Sequence, residues 1–438
     1  MPKTKAEVNK KANRALPVVF FTIFLDVLGI GILIPVIPLL LAAPMSPEYL
    51  LPAGWSFTQG LILLGWLTAI YPLMQFFATP ILGQLSDRYG RKRVLAISLV
   101  GTALGYVLFA IGIITKNIPL LFAARALDGI TGGNISVAQA VVSDITAPKD
   151  RTKRFGMIGA TFGIGFVLGP YIGAKLASPN VNFYGLFDTP SWFAAATPFW
   201  FAAILSAINV VLVLAFLPET NLVLKRVKIK LTQSIANITK AVTYPGLRVI
   251  FPSTFLYFAG FTFFTTFFQV FLINKLGFNQ SNIGDYFAYV GIWIAIAQVT
   301  VTPFVAKRLK NYQVIRFSLA ATGAALLTML FAGNTKELLL FTPLFAVFNG
   351  LTMANVLSLV SKSAGKEVQG EVLGINASVQ ALAQAIPAVI SGYVATMGVS
   401  VPVITGAGIM IISGVVFWVL YRPSQQVLHE DAEPTASY

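Results

Sequence analysis

Gly83-Gln-Leu-Ser-Asp87-Arg88-Tyr-Gly90-Arg91-Lys92-Arg93 packs one acid, four cations and two glycines into eleven residues between two long apolar runs. Cations this dense do not enter a bilayer, so the stretch is expected to be a short hairpin on one membrane face. Orientation follows the Lys/Arg bias of short loops, which marks that face as cytoplasmic. Gly83 and Gly90 permit close helix approach and a tight turn.

The composition supports a membrane setting. The 438 residues are 56% hydrophobic and 11% charged, against roughly 25% charged in soluble domains. Zero cysteines exclude disulfides and thiolate metal sites, and the one histidine, His429, lies in the polar tail. No metal and no cofactor is expected. No nucleophile–base constellation occurs in the apolar runs, so an enzyme is not expected either.

Runs of about 20 apolar residues span a bilayer. Twelve such runs are expected near 17–42, 59–83, 93–115, 118–143, 154–178, 195–217, 249–274, 281–306, 313–333, 338–362, 370–396 and 400–421. The first is too long for the core of a cleaved signal and is read as an uncleaved span. Most of the 31 Lys and Arg fall in 1–16, 84–93, 148–154, 218–248, 307–316 and 362–366, on alternate loops. Both termini are therefore expected inside, in a multi-pass protein of the cell membrane. The net charge of +15 belongs to that inner face and its anionic lipid, not to a nucleic acid.

The expected layout is a basic N-terminus (1–16), a six-helix bundle (17–217), a central loop (218–248), a second bundle (249–421) and a tail (422–438). Part of the central loop reads as an interfacial helix. The halves repeat: Thr79-Pro80 matches Thr302-Pro303, and the same offset places Lys310 where Asp87 stands. Related halves put a substrate site between them near the midplane.

Charges inside spans are functional candidates. Asp26 lies in Phe24-Leu-Asp-Val-Leu-Gly29-Ile-Gly31-Ile-Leu-Ile-Pro35-Val-Ile-Pro38, nine residues into the first span, or roughly 13 Å deep. A carboxyl among apolar neighbours suits taking and releasing a proton. Arg125 and Asp128 are i,i+3 neighbours at similar depth in the fourth span, read as a network responding to Asp26; a structural pair that only orients the helix is the alternative. In the fifth span, Gly165, Gly169 and Gly173 with Pro170 form G-x-x-x-G-P-x-x-G, a face for close helix approach. Lys175 reads as a snorkelling side chain, and Asp285 as an acid in a first helical turn. Cavity-lining candidates are Gln75, Asn134, Gln139, Phe268, Gln269, Trp293, Gln298, Asn349, Asn355, Asn376 and Gln380.

The order G-x-x-x-D-R-x-G-R-K resembles the signature loop between helices 2 and 3 of major facilitator superfamily transporters. The Asp of the first span with Gly-Ile-Gly and Pro-Val-Ile-Pro, the R-x-x-x-G of the fourth and the motif of the fifth are similar to the twelve-span drug:proton antiporter branch. Within that branch the chain resembles tetracycline-resistance efflux proteins and their relatives. The resemblance implies an all-α fold of two six-helix bundles and export of small lipophilic or amphiphilic compounds in exchange for protons. It also implies a latch of Gly83, Asp87, Arg88, Gly90, Arg91 and Lys92 against the start of the eleventh span, at Gly370 and Glu371. Two departures point away from tetracycline itself: the acids that its exporters carry in the third and ninth spans have no counterpart here. A monomer is expected. Other readings left open are a facilitator or proton symporter of a metabolite, with Arg125 holding an anionic group, and a non-transport receptor or chaperone.

Overall fold

The computed structural model describes residues 5–146, 151–183, 187–221, 229–243, 246–363 and 369–423. Its helices are α1 (Lys5–Leu41), α2 (Phe57–Tyr89), α3 (Arg91–Ile114), α4 (Ile118–Thr131), α5 (Ile135–Ile145), α6 (Arg151–Leu176), α7 (Thr197–Phe216) and a short α8 (Gln233–Thr243). They continue as α9 (Ile250–Leu276), α10 (Gln280–Ile296), α11 (Thr302–Ala306), α12 (Asn311–Met329), α13 (Thr335–Lys362), α14 (Gln369–Ala395) and α15 (Val401–Leu420). One two-residue antiparallel pairing, Asn182–Phe183 with Phe187–Asp188, lies in the loop before α7.

Among the described residues nine helical stretches are long and apolar enough to cross a membrane. The remaining expected spans are helical too. The fifth and ninth are α6 and α12. The fourth is not one helix: a 3-10 turn at Gly132–Asn134 separates α4 from α5. The eighth also changes pitch, through a π turn at Ala297–Val301 between α10 and α11. The twelve spans thus stand as twelve helical rods, two of them interrupted, in an all-α multi-pass membrane protein.

The basic stretch corrects the expected hairpin. Helix α2 runs through it to Tyr89, and α3 begins at Arg91. Gly90 alone makes the turn, at φ +96°, a backbone region that favours glycine. At its other end α2 opens with a capping box: Ser56 Oγ accepts from Gln59 N (3.2 Å), and Gln59 Oε1 accepts from Ser56 N (2.8 Å).

By internal contacts the chain falls into two units, Met1–Gln233 with Phe278–Ala288, and Ser234–Gly277 with Tyr289–Tyr438. In the first, α1 runs along α6, and α3 packs on α4 and α7. Val19, Ile23, Leu95, Leu99, Val137, Val141 and Val213 form a buried cluster at its basic end. In the second, α9 packs on α14 and α15, and α12 on α13 and α15. Large apolar side chains remain on the outside, such as Ile97 at 73% and Val211 at 63% exposed. Apolar surface on this scale is expected where lipid rather than water is the solvent.

Candidate functional site

The membrane-depth charges of the first unit gather in one place. Arg125 Nη1 donates to Asp128 Oδ2 at 2.8 Å, one turn along α4, and both side chains are 7% exposed. The guanidinium carbon lies 4.4 Å from the centre of the Tyr71 ring, a cation–π contact strengthened by exclusion of water. Arg125 Nε has no hydrogen-bond partner. Asp26, from α1, is buried, and its Oδ2 is likewise unpaired. Asp26, Asp128, Tyr71 and Tyr106 are electrostatic neighbours. Asn134 also faces Asp26, but neither atom of its fully buried amide completes a well-formed hydrogen bond. Two carboxyls, one guanidinium and two phenols therefore share a volume with spare donors and acceptors.

Small residues let these helices converge. The Tyr106 hydroxyl lies over the bare α-carbon of Gly29, and the Tyr71 hydroxyl over Gly132. A methyl group at Gly105 would come 3.2 Å from Asp128 Cβ, and one at Gly133 only 2.8 Å from Thr79 N. The break in the fourth span has its reason here. Gly132 and Gly133 weaken the helix, and Gln75 Nε2 donates to the Gly132 carbonyl at 3.0 Å. The crevice bounded by Leu33, Tyr106, Phe109, Arg125, Asp128 and Phe199 has no room for a water molecule.

The glycine motif of α6 docks on α1 directly after Asp26. A methyl at Gly165 would meet Val27 Cβ at 2.9 Å; one at Gly169 would meet Gly31 Cα and Leu28 O, each at 2.8 Å; one at Gly173 would meet Ile32 Cα at 2.8 Å. Pro170 Cδ abuts Gly31. The close approach expected of this face occurs, and its partner is the helix that carries the acid.

At the basic turn Arg91 bonds three ways: to Asp87 (Nη2–Oδ1 2.7 Å), Asp144 (Nε–Oδ2 3.2 Å) and Ser86 Oγ (2.5 Å). Glu219, just past α7, accepts from the backbone N–H of Arg91 (2.9 Å) and Lys92 (3.2 Å), the unsatisfied donors at the start of α3. Asn221 Nδ2 donates to the Asp87 carbonyl at 3.1 Å. Lys92 Nζ donates to the Leu214 carbonyl at 2.7 Å, and the Arg88 guanidinium stacks 5.2 Å from the Tyr89 ring. Gly83 has room, its added methyl nearest Ser136 Oγ at 3.7 Å. Gly370 and Glu371 begin α14, and their surroundings lie outside the described residues. Asp87 and Arg91 are thus engaged with each other and with Asp144, Ser86 and Asn221.

Lys175 is not a snorkelling side chain and Asp285 is more than a helix-end acid. Lys175 Nζ lies 2.9 Å from Asp285 Oδ1 and 2.7 Å from Ser281 Oγ, with the lysine side chain 9% exposed. Gly284 makes this possible by seating against Ala174 and Pro170.

The second unit brings together amides, hydroxyls and rings. Tyr257 on α9 donates to Asn349 Oδ1 on α13. Phe264 packs 4.7 Å from Phe345 and 4.9 Å from Phe268. Gln269 is buried with Oε1 unpaired, as are Asn349 Nδ2 and Asn376 Oδ1. Asn355 instead turns its amide to the Leu351 carbonyl at 2.8 Å, so it satisfies its own helix. Gln139, Trp293, Gln298 and Gln380 are half-buried, with Trp293 edge-on to Tyr289 and Gln298 in the π turn. Reading charges and amides alone passed over Tyr71, Tyr106 and Tyr257. It also passed over Asp144 and Glu219, of which Glu219 had a signal, as an acid flanking the most basic loop.

Residues 19–388 match the Major Facilitator Superfamily. The tetracycline resistance protein, class H, of Pasteurella multocida is 30% identical over 83% of this chain and 84% of its own. Multidrug resistance protein 1 of Bacillus subtilis (strain 168) is 29% identical over 90% of this chain and 92% of its own. The crystal structure of a human organic anion transporter superposes with a TM-score of 0.68 at 22% identity, over 92% of this chain and 99% of that one. The chain belongs to the Major Facilitator Superfamily.

Proposed function

We propose that the protein exports small lipophilic or amphiphilic compounds in exchange for protons, by alternating access. The observation that carries this is Asp26, a buried acid with an unpaired oxygen beside a second acid and its arginine. Tetracycline and multidrug resistance relatives that match over more than four-fifths of the chain support the direction of transport. Proton arrival at Asp26 cancels one of two neighbouring negative charges, leaving Arg125 matched by Asp128 alone. Proton loss restores the excess charge, which the unpaired Arg125 Nε and the Asn134 amide are placed to answer. The proton is the coupling species, and the basic loops and both termini face the cytoplasm. The halves 17–217 and 249–421 alternate about the substrate, with 218–248 as their connection.

The test is uphill movement of cationic dyes and tetracycline in liposomes under a pH gradient, wild type against Asp26→Asn. Loss of gradient-driven uptake with binding retained is the expected result. A mutant that still concentrates substrate transfers the role to Asp128. A substrate whose movement ignores the gradient replaces antiport with facilitation.

A further inference from the structure

The short helix α8 is patterned inside out for a surface helix. Its packed sector is small and polar: Ser234, Asn237 and Ala241 are buried, and Asn237 Nδ2 donates to Ser378 Oγ at 3.1 Å. Its next sector is apolar and bare, with Leu231, just before the helix, at 68%, Ile235 at 56% and Val242 at 55% exposed. The third sector is exposed and polar or small: Ala236, Thr239, Lys240 and Thr243. A helix with one side on protein, one apolar and one wet has the form of an element lying in a membrane interface. Its level agrees, because α9 enters its apolar run at Ile250, seven residues after Thr243.

Charge selects the lipid. No acid occurs between Glu219 and Asp285, whereas that interval holds Lys225, Arg226, Lys228, Lys230, Lys240 and Arg248 before the next span. Lys230, Lys240 and Arg248 are exposed. We propose that α8 docks on the anionic phospholipid layer of the membrane face that bears the basic loops, with Ile235 and Val242 among the acyl chains and Lys230, Lys240 and Arg248 at the phosphates.

The absence of native cysteine permits a clean test. Ile235→Cys, Thr239→Cys and Val242→Cys are each spin-labelled in the full chain, reconstituted in phosphatidylglycerol–phosphatidylcholine vesicles. Labels at 235 and 242 are expected to relax more with oxygen than with a water-soluble nickel chelate, and the label at 239 the reverse. Replacing phosphatidylglycerol by phosphatidylcholine, or adding Lys230→Glu with Lys240→Glu, is expected to shift the 235 and 242 labels toward the nickel chelate. Water-like labels at 235 and 242 in the anionic vesicles overturn the docking. Equal accessibility in both lipids overturns the role of charge. Spin–spin broadening that grows with the protein-to-lipid ratio assigns the face to a second copy of the chain instead.

Discussion

The two units treat buried polarity differently. The first holds Asp26, Arg125 and Asp128 at depth, with Tyr71 and Tyr106 around them. The spans of the second carry their charges near helix ends, and at depth they offer Tyr257, Gln269, Asn349 and Asn376 among phenylalanines. A neutral amide answers to shape and hydrogen bonding. A carboxylate beside an arginine also answers to protons. On the proposed antiport, this difference would put energy coupling in the first unit and substrate discrimination in the second.

The sharpest way to break that assignment is to strip one member of each set. Arg125→Met leaves Asp128 buried without its cation, at a cost of about 3–5 kcal/mol. It is expected to abolish gradient-driven transport and to lower the melting temperature in detergent. Adding Asp128→Leu should recover most of the stability and none of the coupling. Tyr257→Phe leaves Asn349 Oδ1 without its donor, at about 1–3 kcal/mol. Its expected signature is an altered order of preference among dyes, read as KM, with an unchanged dependence of transport on pH. A changed pH dependence in Tyr257→Phe places coupling in both units and ends the division.

A second contrast lies within the first unit, between packing and capping. Gly169→Ala drives a methyl into the backbone of α1 at Gly31 and Leu28, with an expected loss of about 1–3 kcal/mol. Because that contact sits directly after Asp26, transport should fall further than melting does. Glu219→Gln keeps the shape but removes the negative charge at the start of α3, worth about 0.3–1 kcal/mol. Thermal melting separates the two, and the reverse order of effects makes the basic turn rather than the glycine face the stiffer joint.

How much of this was legible in the sequence depends on range. The spans followed from apolar runs, and a close helix approach at α6 from glycines spaced by four residues, but not that its partner would be α1. Asp26, Arg125 and Asp128 stood out because charges in apolar runs are conspicuous. The phenols did not, since tyrosine in a span is unremarkable until Gly29 and Gly132 place a hydroxyl over a bare α-carbon. The hairpin expected at 83–93 was too long, because charge density locates a membrane face but does not end a helix. Only the backbone shows that Gly90 makes the turn alone. The interruption at Gly132–Asn134 was equally hidden: glycine pairs weaken helices, but Gln75, fifty-seven residues away in the chain, supplies the bond that makes the break tolerable.

The Lys175–Asp285 pair is the control that tells distance from burial. Its separation of 2.9 Å nearly equals the 2.8 Å of Arg125–Asp128, but the Asp285 side chain is 46% exposed against 7% for Asp128. Water answers a half-exposed carboxylate when its partner leaves, so Lys175→Met is expected to cost no more than about 1 kcal/mol, and less in high salt. Its melting temperature should fall within a few degrees of wild type, far above that of Arg125→Met. An equal loss in both variants means that contact distance, not exclusion of water, sets the energy of these pairs. The contrast between a unit with charges at depth and one without them then loses its physical basis, because the depth of Arg125 and Asp128 would add nothing that a half-exposed pair lacks.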